Sequence, residues 1–233
     1  MKIITLSMLS LTLLSSCIVI HTQGRAVDET RFKKGAAKET DYSGRRMESR
    51  EFSVSGFSEI SVSSGMRFYV KKGDRQRVVV NTNAPEVIKV SSEGGLLKVQ
   101  YNSTQPMRKV ETEVVVYTDK IDKLKVESAG KMVIEEGIRS DQLWIDLSSS
   151  GELSGNVSAQ NIRIKASSAS SAALAIRAER VGVEASSLAK VRLYGEVEAV
   201  QAEATSAAEV HLENLKYKNL KQEVTSLGKI QTK

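Results

Sequence analysis

From Glu51 onward the chain alternates apolar and polar residues with few breaks, which is the period-two pattern of strands that bury one face. The segments Phe57 to Val62, Met66 to Lys71, Gln76 to Thr82, Leu96 to Tyr101 and Val110 to Tyr117 are predicted strands. Turn residues separate them at Gly65, Gly73-Asp74, Asn83 to Pro85, Gly94-Gly95 and Gln105-Pro106. No segment after the N-terminal apolar run carries three turns of apolar residues at helical spacing. The predicted fold is all-β.

Beyond Ile121 the alternation becomes a repeat. Ser128, Ser149, Ser168, Ser187, Ser206 and Ser226 follow one another at 21, 19, 19, 19 and 20 residues. Two positions before them stand Val126, Leu147, Ala166, Ala185, Ala204 and Val224, and four positions after stand Met132, Leu153, Ala172, Val191, Val210 and Ile230. A period near 20 with every second residue apolar predicts strands stacked coil upon coil, a β-helix or β-solenoid. Six coils at about 4.8 Å give a stack of roughly 25 to 30 Å. The asparagine and the several leucines of a leucine-rich repeat are missing. The serine column is read as structural. Small residues fit the bend between two strands, and stacked hydroxyls can satisfy one another and nearby backbone groups.

The first residues belong to another category. Lys2 precedes the apolar run from Ile3 to Leu14, then Leu14-Ser15-Ser16-Cys17, and Cys17 is the chain's one cysteine. The run is short for a membrane span, and the sequence around the cysteine resembles the lipobox of bacterial lipoprotein signal peptides. The resemblance implies cleavage before Cys17, so that 1–16 is a signal peptide, and acylation of Cys17 as the membrane anchor. Ile18 rather than Asp follows the cysteine, which favours the outer membrane, and leaves the surface and periplasmic faces equally open. His21 to Arg50 is polar and aperiodic and reads as a tether, giving 17–50 as anchor plus linker. The domain proper is then 51–233, with strands over 51–118 and coils over 119–233.

Composition narrows the chemistry. Only 5% of residues are aromatic, so the core must be built from small and β-branched side chains. A formal charge of +6 comes from 34 basic residues interleaved with 28 acidic ones; this is a mixed solvated surface, and no nucleic-acid partner is expected. Arg45-Arg46 and Lys33-Lys34, in the tether, are placed to meet lipid headgroups. The histidines, His21 and His211, lack companions for a metal site or a Ser-His-Asp triad, and no phosphate loop is present, so no catalytic residue, metal or cofactor is expected. Glu127, Asp146, Glu184, Glu203 and Glu223 form an outward acidic series, broken by Lys165 and read as solubilising surface. The aromatic residues Trp144, Tyr194 and Tyr217 are the candidate binding residues on the coils. Alternation exposes Trp144, either to a partner or to cover by the N-terminal strands.

Phe52 to Val62 leading into Ser64-Gly65-Met66-Arg67-Phe68-Tyr69-Val70, Gly73-Asp74 before Val78-Val79-Val80, Gly95 to Val99, and Val114 to Thr118 followed by Leu124 to Gly130 together resemble the head GIN domain family of auto-transporter adhesins. Arg67 stands where that family commonly has a small or acidic residue. The resemblance covers nearly all of the chain beyond residue 50. It implies a β-helix-like domain on envelope proteins, often lipoproteins, with adhesion as the role and no catalytic residues. The expected function is therefore a non-enzymatic, lipid-anchored envelope protein that presents a rigid β surface to a glycan or protein ligand. The alternatives are a periplasm-facing assembly or stress-response component that docks through its last coil, where Gln222, Lys221, Lys229 and Lys233 look like capping, and a carbohydrate-active β-helix enzyme.

Overall fold

The computed structural model describes residues 39–233, so the signal segment, Cys17, His21 and the Lys33-Lys34 pair lie outside the described residues. Within residues 39–233 the chain contains no α-helix. It runs through β1 (Thr40–Asp41), β2 (Glu48–Phe52), β3 (Glu59–Val62), β4 (Arg67–Lys72) and β5 (Arg77–Thr82), a 3₁₀ turn at Pro85–Val87, then β6 (Ile88–Glu93), β7 (Leu96–Tyr101), β8 (Met107–Arg108) and β9 (Thr112–Thr118). The coils follow as β10 (Lys123–Val126), β11 (Lys131–Leu147), β12 (Glu152–Ala166), β13 (Ser171–Ala185), β14 (Lys190–Ala204), β15 (Glu209–Lys216), β16 (Asn219–Val224) and β17 (Lys229–Gln231).

From β10 on, every ladder is parallel and each residue pairs with its counterpart one repeat later: Leu153 with Ala172, Ala172 with Val191, Val191 with Val210. Each long strand wraps three faces. In β12 the trailing face is Glu152 to Gly155, a second face spans Val157 to Ala159, and the leading face, Asn161 to Ala166, returns to the serine bend. Gly155 and Gly195 sit at the first of these corners with φ of +128° and +104°, and a Cβ there would overlap the carbonyl oxygens of Ile134 and Ile176 in the tier beneath. Glycine alone allows that approach.

The serine bend owes its form to the backbone. Each aligned serine and the residue after it take positive φ, from Ser128 at 52° and Ala129 at 56° to Ser226 at 48° and Leu227 at 65°. Left-handed non-glycine residues cost about 1–2 kcal/mol each. Hydrogen bonds along the stack offset this: the second bend residue donates to the serine carbonyl of the next tier, as in Ala129 to Ser149 at 2.9 Å and Ser150 to Ser168 at 3.0 Å. The serine side chains themselves face solvent. The expected stacking of hydroxyls is thus corrected to a stacking of carbonyls, and the tight spot lies two residues on, where Gly130, Gly151, Ser170, Ala189 and Ala208 are buried.

The same bend occurs one tier earlier than the repeat predicts. Ser64 and Gly65 have φ of 58° and 67°, and the Gly65 N–H donates to the Ser128 carbonyl. β3 and β4 pair in parallel with β10 and the start of β11, so residues 59–72 are a genuine first tier. Residues 73–120 are inserted between it and the second tier. Beneath the first tier, β7 joins β3 and β9 joins β4; β6 covers β7, while β5 and then β2 extend from β9, all three antiparallel. Gly94-Gly95, both at positive φ, make the predicted β6–β7 turn.

The inward column forms one continuous core from Phe57 to Leu215. Its side chains shrink towards the C-terminus, from Leu143, Ile145 and Leu147 on one leading face to Val200, Ala202 and Ala204 three tiers later, all buried.

The tether is shorter than the sequence suggests. β2 begins at Glu48, β1 pairs with β8, and Tyr42 is buried with Ala84 and Val87 in a small second core. Arg45 lies over the Tyr42 ring and pairs with Glu86, which places it against the domain. Polar composition hid this segment because only Tyr42 among residues 39–46 is buried. Asn83 ties it down: its Nδ2 donates to the carbonyls of Tyr42 and Lys109, and its Oδ1 accepts from the Glu111 N–H.

Candidate functional site

The second face of each coil carries a concavity. Here the outward column reads Arg139, Ser158, Arg177, Glu196 and Lys216, one residue per tier. A hollow of about 630 Å³ opens over this column, rimmed by Asn156, Asn214 and Glu136. A second, of about 620 Å³, continues past Arg139, Ser158 and Arg177 towards Asp141 and Glu179. Together they form a shallow trough across the tiers.

Six of the twelve arginines among the described residues are neutralised locally: Arg45, Arg50, Arg67, Arg77, Arg108 and Arg163 each meet a carboxylate. Arg139 and Arg177 have no carboxylate within 4.0 Å among the described residues. Ser158 lies between them in the ladder, two tiers spanning the pair. Guanidiniums, a hydroxyl and side-chain amides fixed on adjacent strands can recognise a polar chain bearing hydroxyls and anionic groups, because planar guanidinium matches carboxylate or sulfate oxygens.

Two of the three aromatic candidates are exposed, and they lie on different faces. Tyr194, 38% exposed, stands at the corner where trailing and trough faces meet, with Asn214 of the trough rim as its ladder neighbour. Trp144 is on the leading face and 43% exposed, so the N-terminal strands do not cover it. Its neighbour is Arg163, whose guanidinium sits 5.3 Å from the ring centroid and is held by Glu184 at 2.7 Å. Those bonds from Arg163, with Lys165 adding to them, keep the Glu184 carboxyl below its ordinary range. Tyr217 is half-buried and packs against the core.

The acidic series is interrupted more than its sequence suggests. In the ladder it reads Lys125, Asp146, Lys165, Glu184, Glu203 and Glu223, with Glu127 beside it and bound to Lys125 at 2.9 Å. His211 points outward as alternation requires, yet its side chain is only 17% exposed. Glu213 and Glu209 approach its ring nitrogens at 3.3 and 3.5 Å, and no group of three metal-ligating side chains occurs among the described residues.

Arg139, Arg177, Asn156 and Asn214 were not singled out from sequence. The signal was present: position +9 after the aligned serine gives Ser158, Arg177 and Glu196, but the first repeat is two residues longer. Those residues are taken up between Ile134 and Ile138, where the ladder shifts register, so Arg139 sits at +11 and drops out of the column.

No curated protein matches the sequence. Among solved structures, a putative lipid binding protein from Parabacteroides distasonis is similar at a TM-score of 0.67 and 16% identity, covering 84% of this chain and 100% of that one. A putative adhesin from Bacteroides fragilis is similar at 0.60 and 13%, covering 83% and 99%. A putative adhesin from Parabacteroides merdae follows at 0.56 and 10%, covering 84% and 100%. At these identities the likeness is one of fold. The profile described as putative auto-transporter adhesin, head GIN domain, matches residues 56–233, so the tiers, the trough and the capping strands β5 and β6 all lie within it, and the chain belongs to that family.

Proposed function

We propose that this protein is a lipid-anchored adhesin of the bacterial cell envelope, held at Cys17, which binds an extended glycan or protein ligand along the trough without altering it. The observation that carries this reading is the Arg139–Ser158–Arg177 column, two guanidiniums without a carboxylate partner among the described residues, on a parallel sheet. Parallel tiers fix these groups before a ligand arrives, which lowers the ordering cost of binding.

Two measurements test the proposal. Protease shaving of intact cells should remove the protein, and Cys17→Ser should release it from the membrane fraction; full protection until lysis would overturn the adhesin reading. In an array of acidic and neutral polysaccharides, the Arg139→Ala/Arg177→Ala double variant should lose at least about tenfold in affinity for the acidic ligands bound by wild type. Equal binding by both proteins would place recognition elsewhere.

A further inference from the structure

The solenoid is closed at one end and open at the other. At the N-terminal end, β6 covers the edge of β7, and β5 with β2 covers that of β9. At the C-terminal end β16 pairs only with β14 and β17 only with β15 among the described residues, so the far edge of each is open. Val224 is 47% exposed and Leu227 86%, whereas the previous tier buries Val200, Ala202 and Ala204. The backbone is open as well. The bend hydrogen bonds run tier by tier as far as Ala207 donating to Ser226, and the next donor in the series, the Leu227 N–H, has no acceptor among the described residues. On β16, the Thr225 N–H donates to the Ala204 carbonyl. By the alternation of a parallel ladder, Asn219, Lys221 and Glu223 then face β14, and Leu220, Gln222 and Val224 turn their N–H and C=O groups to the open edge.

We propose that this edge binds a second copy of the chain, β16 against β16, antiparallel about a two-fold axis through Gln222. The strand reads Leu220-Lys221-Gln222-Glu223-Val224, and it is self-complementary about its centre. Antiparallel pairing there sets Leu220 against the partner's Val224 on the inner side and Lys221 against the partner's Glu223 on the outer side. Neither Lys221 nor Glu223 makes an ion pair within the chain among the described residues, and Glu223 lies in the ladder beside Glu203. An opposing lysine therefore relieves a like-charge column. Leu220, Gln222 and Val224 are the residues with free backbone groups, so the three hydrogen-bonded pairs of the register fall where donors and acceptors are available.

Gln222 gives the register its specificity. Its counterparts in earlier tiers are the aliphatic Leu124, Ile145, Ile164, Val183 and Ala202. Two glutamines meeting across the axis satisfy one another, and a one-position slip would strand both, as single polar pairs do in apolar seams. The pairing is isologous and uses up both edges, so it ends in a dimer rather than a fibre. At the N-terminal end the antiparallel β6 and β5–β2 replace the parallel tier edge that head-to-tail stacking would need. The inference is independent of the trough's ligand and of the membrane face occupied.

The test uses the full chain carrying Cys17→Ser, which cannot be acylated and leaves no other cysteine. Sedimentation should show a concentration-dependent dimer. Gln222→Cys should cross-link to a covalent dimer on oxidation, since a hydrogen-bonded antiparallel pair holds its Cα atoms about 5.5 Å apart, whereas the exposed control Gln201→Cys should not. Lys221→Glu and Glu223→Lys should each weaken the dimer at least about tenfold, and mixing the two variants, or combining both changes in one chain, should restore it. A chain that stays monomeric throughout, or a dimer indifferent to both charge reversals and not cross-linked through position 222, would overturn the proposal.

Discussion

Asn83 uses one amide to hold three backbone groups from two separate segments, and it is 5% exposed. Asn83→Ala would remove the partner of the Glu111 N–H and of the Lys109 carbonyl and one of the two donors to the Tyr42 carbonyl, at an expected cost of about 2 kcal/mol, read as a lower midpoint in urea denaturation. Asp41 works in the open. The Ser43 backbone N–H and then the Arg108 guanidinium hold its carboxyl well below the ordinary value of 3.8. A carboxyl depressed in the folded state stabilises above its unfolded value and loses that contribution as pH falls through the folded one. Wild type should therefore exceed Asp41→Asn in thermal stability at neutral pH, with the gap closing in strong acid, below pH 3.8; an unchanging gap would refute the linkage. These residues explain what sequence reading left out of the domain. Among residues 39–50 only Tyr42 is buried, and their order comes from backbone pairing with β8 and β5 and from side-chain hydrogen bonds, which leave no periodic trace. Ser64 was legible by contrast. Ile60, Val62, Met66 and Phe68 flank it at the same offsets as in the later repeats, and it escaped notice only because 64 residues separate it from Ser128.

At the level of elements, strand type and face followed from alternation wherever one side is buried: β3, β4, β5, β7 and β9 all fall within or beside their predicted segments. β2 and β6 were missed because they are edge strands. β2, Glu-Ser-Arg-Glu-Phe, is exposed at four of its five positions, and its pairing rests on backbone bonds to β5. In the coils each tier contacts its neighbours, so damage should stay local. Leu174, fully buried on β13, fills the space between β12 and β14. Leu174→Ala should cost about 2–5 kcal/mol. Hydrogen exchange should quicken first in β12 to β15 while β4, β5 and β9 keep their protection; uniform loss would show that the stack unfolds as one unit.

Across the whole molecule, the trough became visible only once the tiers were stacked, since it draws one residue from each of five strands and no single repeat contains it. The aromatic residues that drew attention in the sequence are dispersed over two faces and a corner, and the guanidiniums that the fold aligns were hidden by a two-residue insertion. The first tier carries one more consequence. Register places Arg67 between Glu113 and Lys131, so β4 is flanked on both sides by strands made much later in the chain. A polypeptide threaded through a membrane from its N-terminus delivers β4 early, with both edges bare and neither neighbour yet present. From β12 onward each arriving coil finds a completed surface to add to. The segment that seeds the stack thus cannot settle when it is made, and its slow step is set by the delivery of residues 112–134 and by closure of the loop that precedes them.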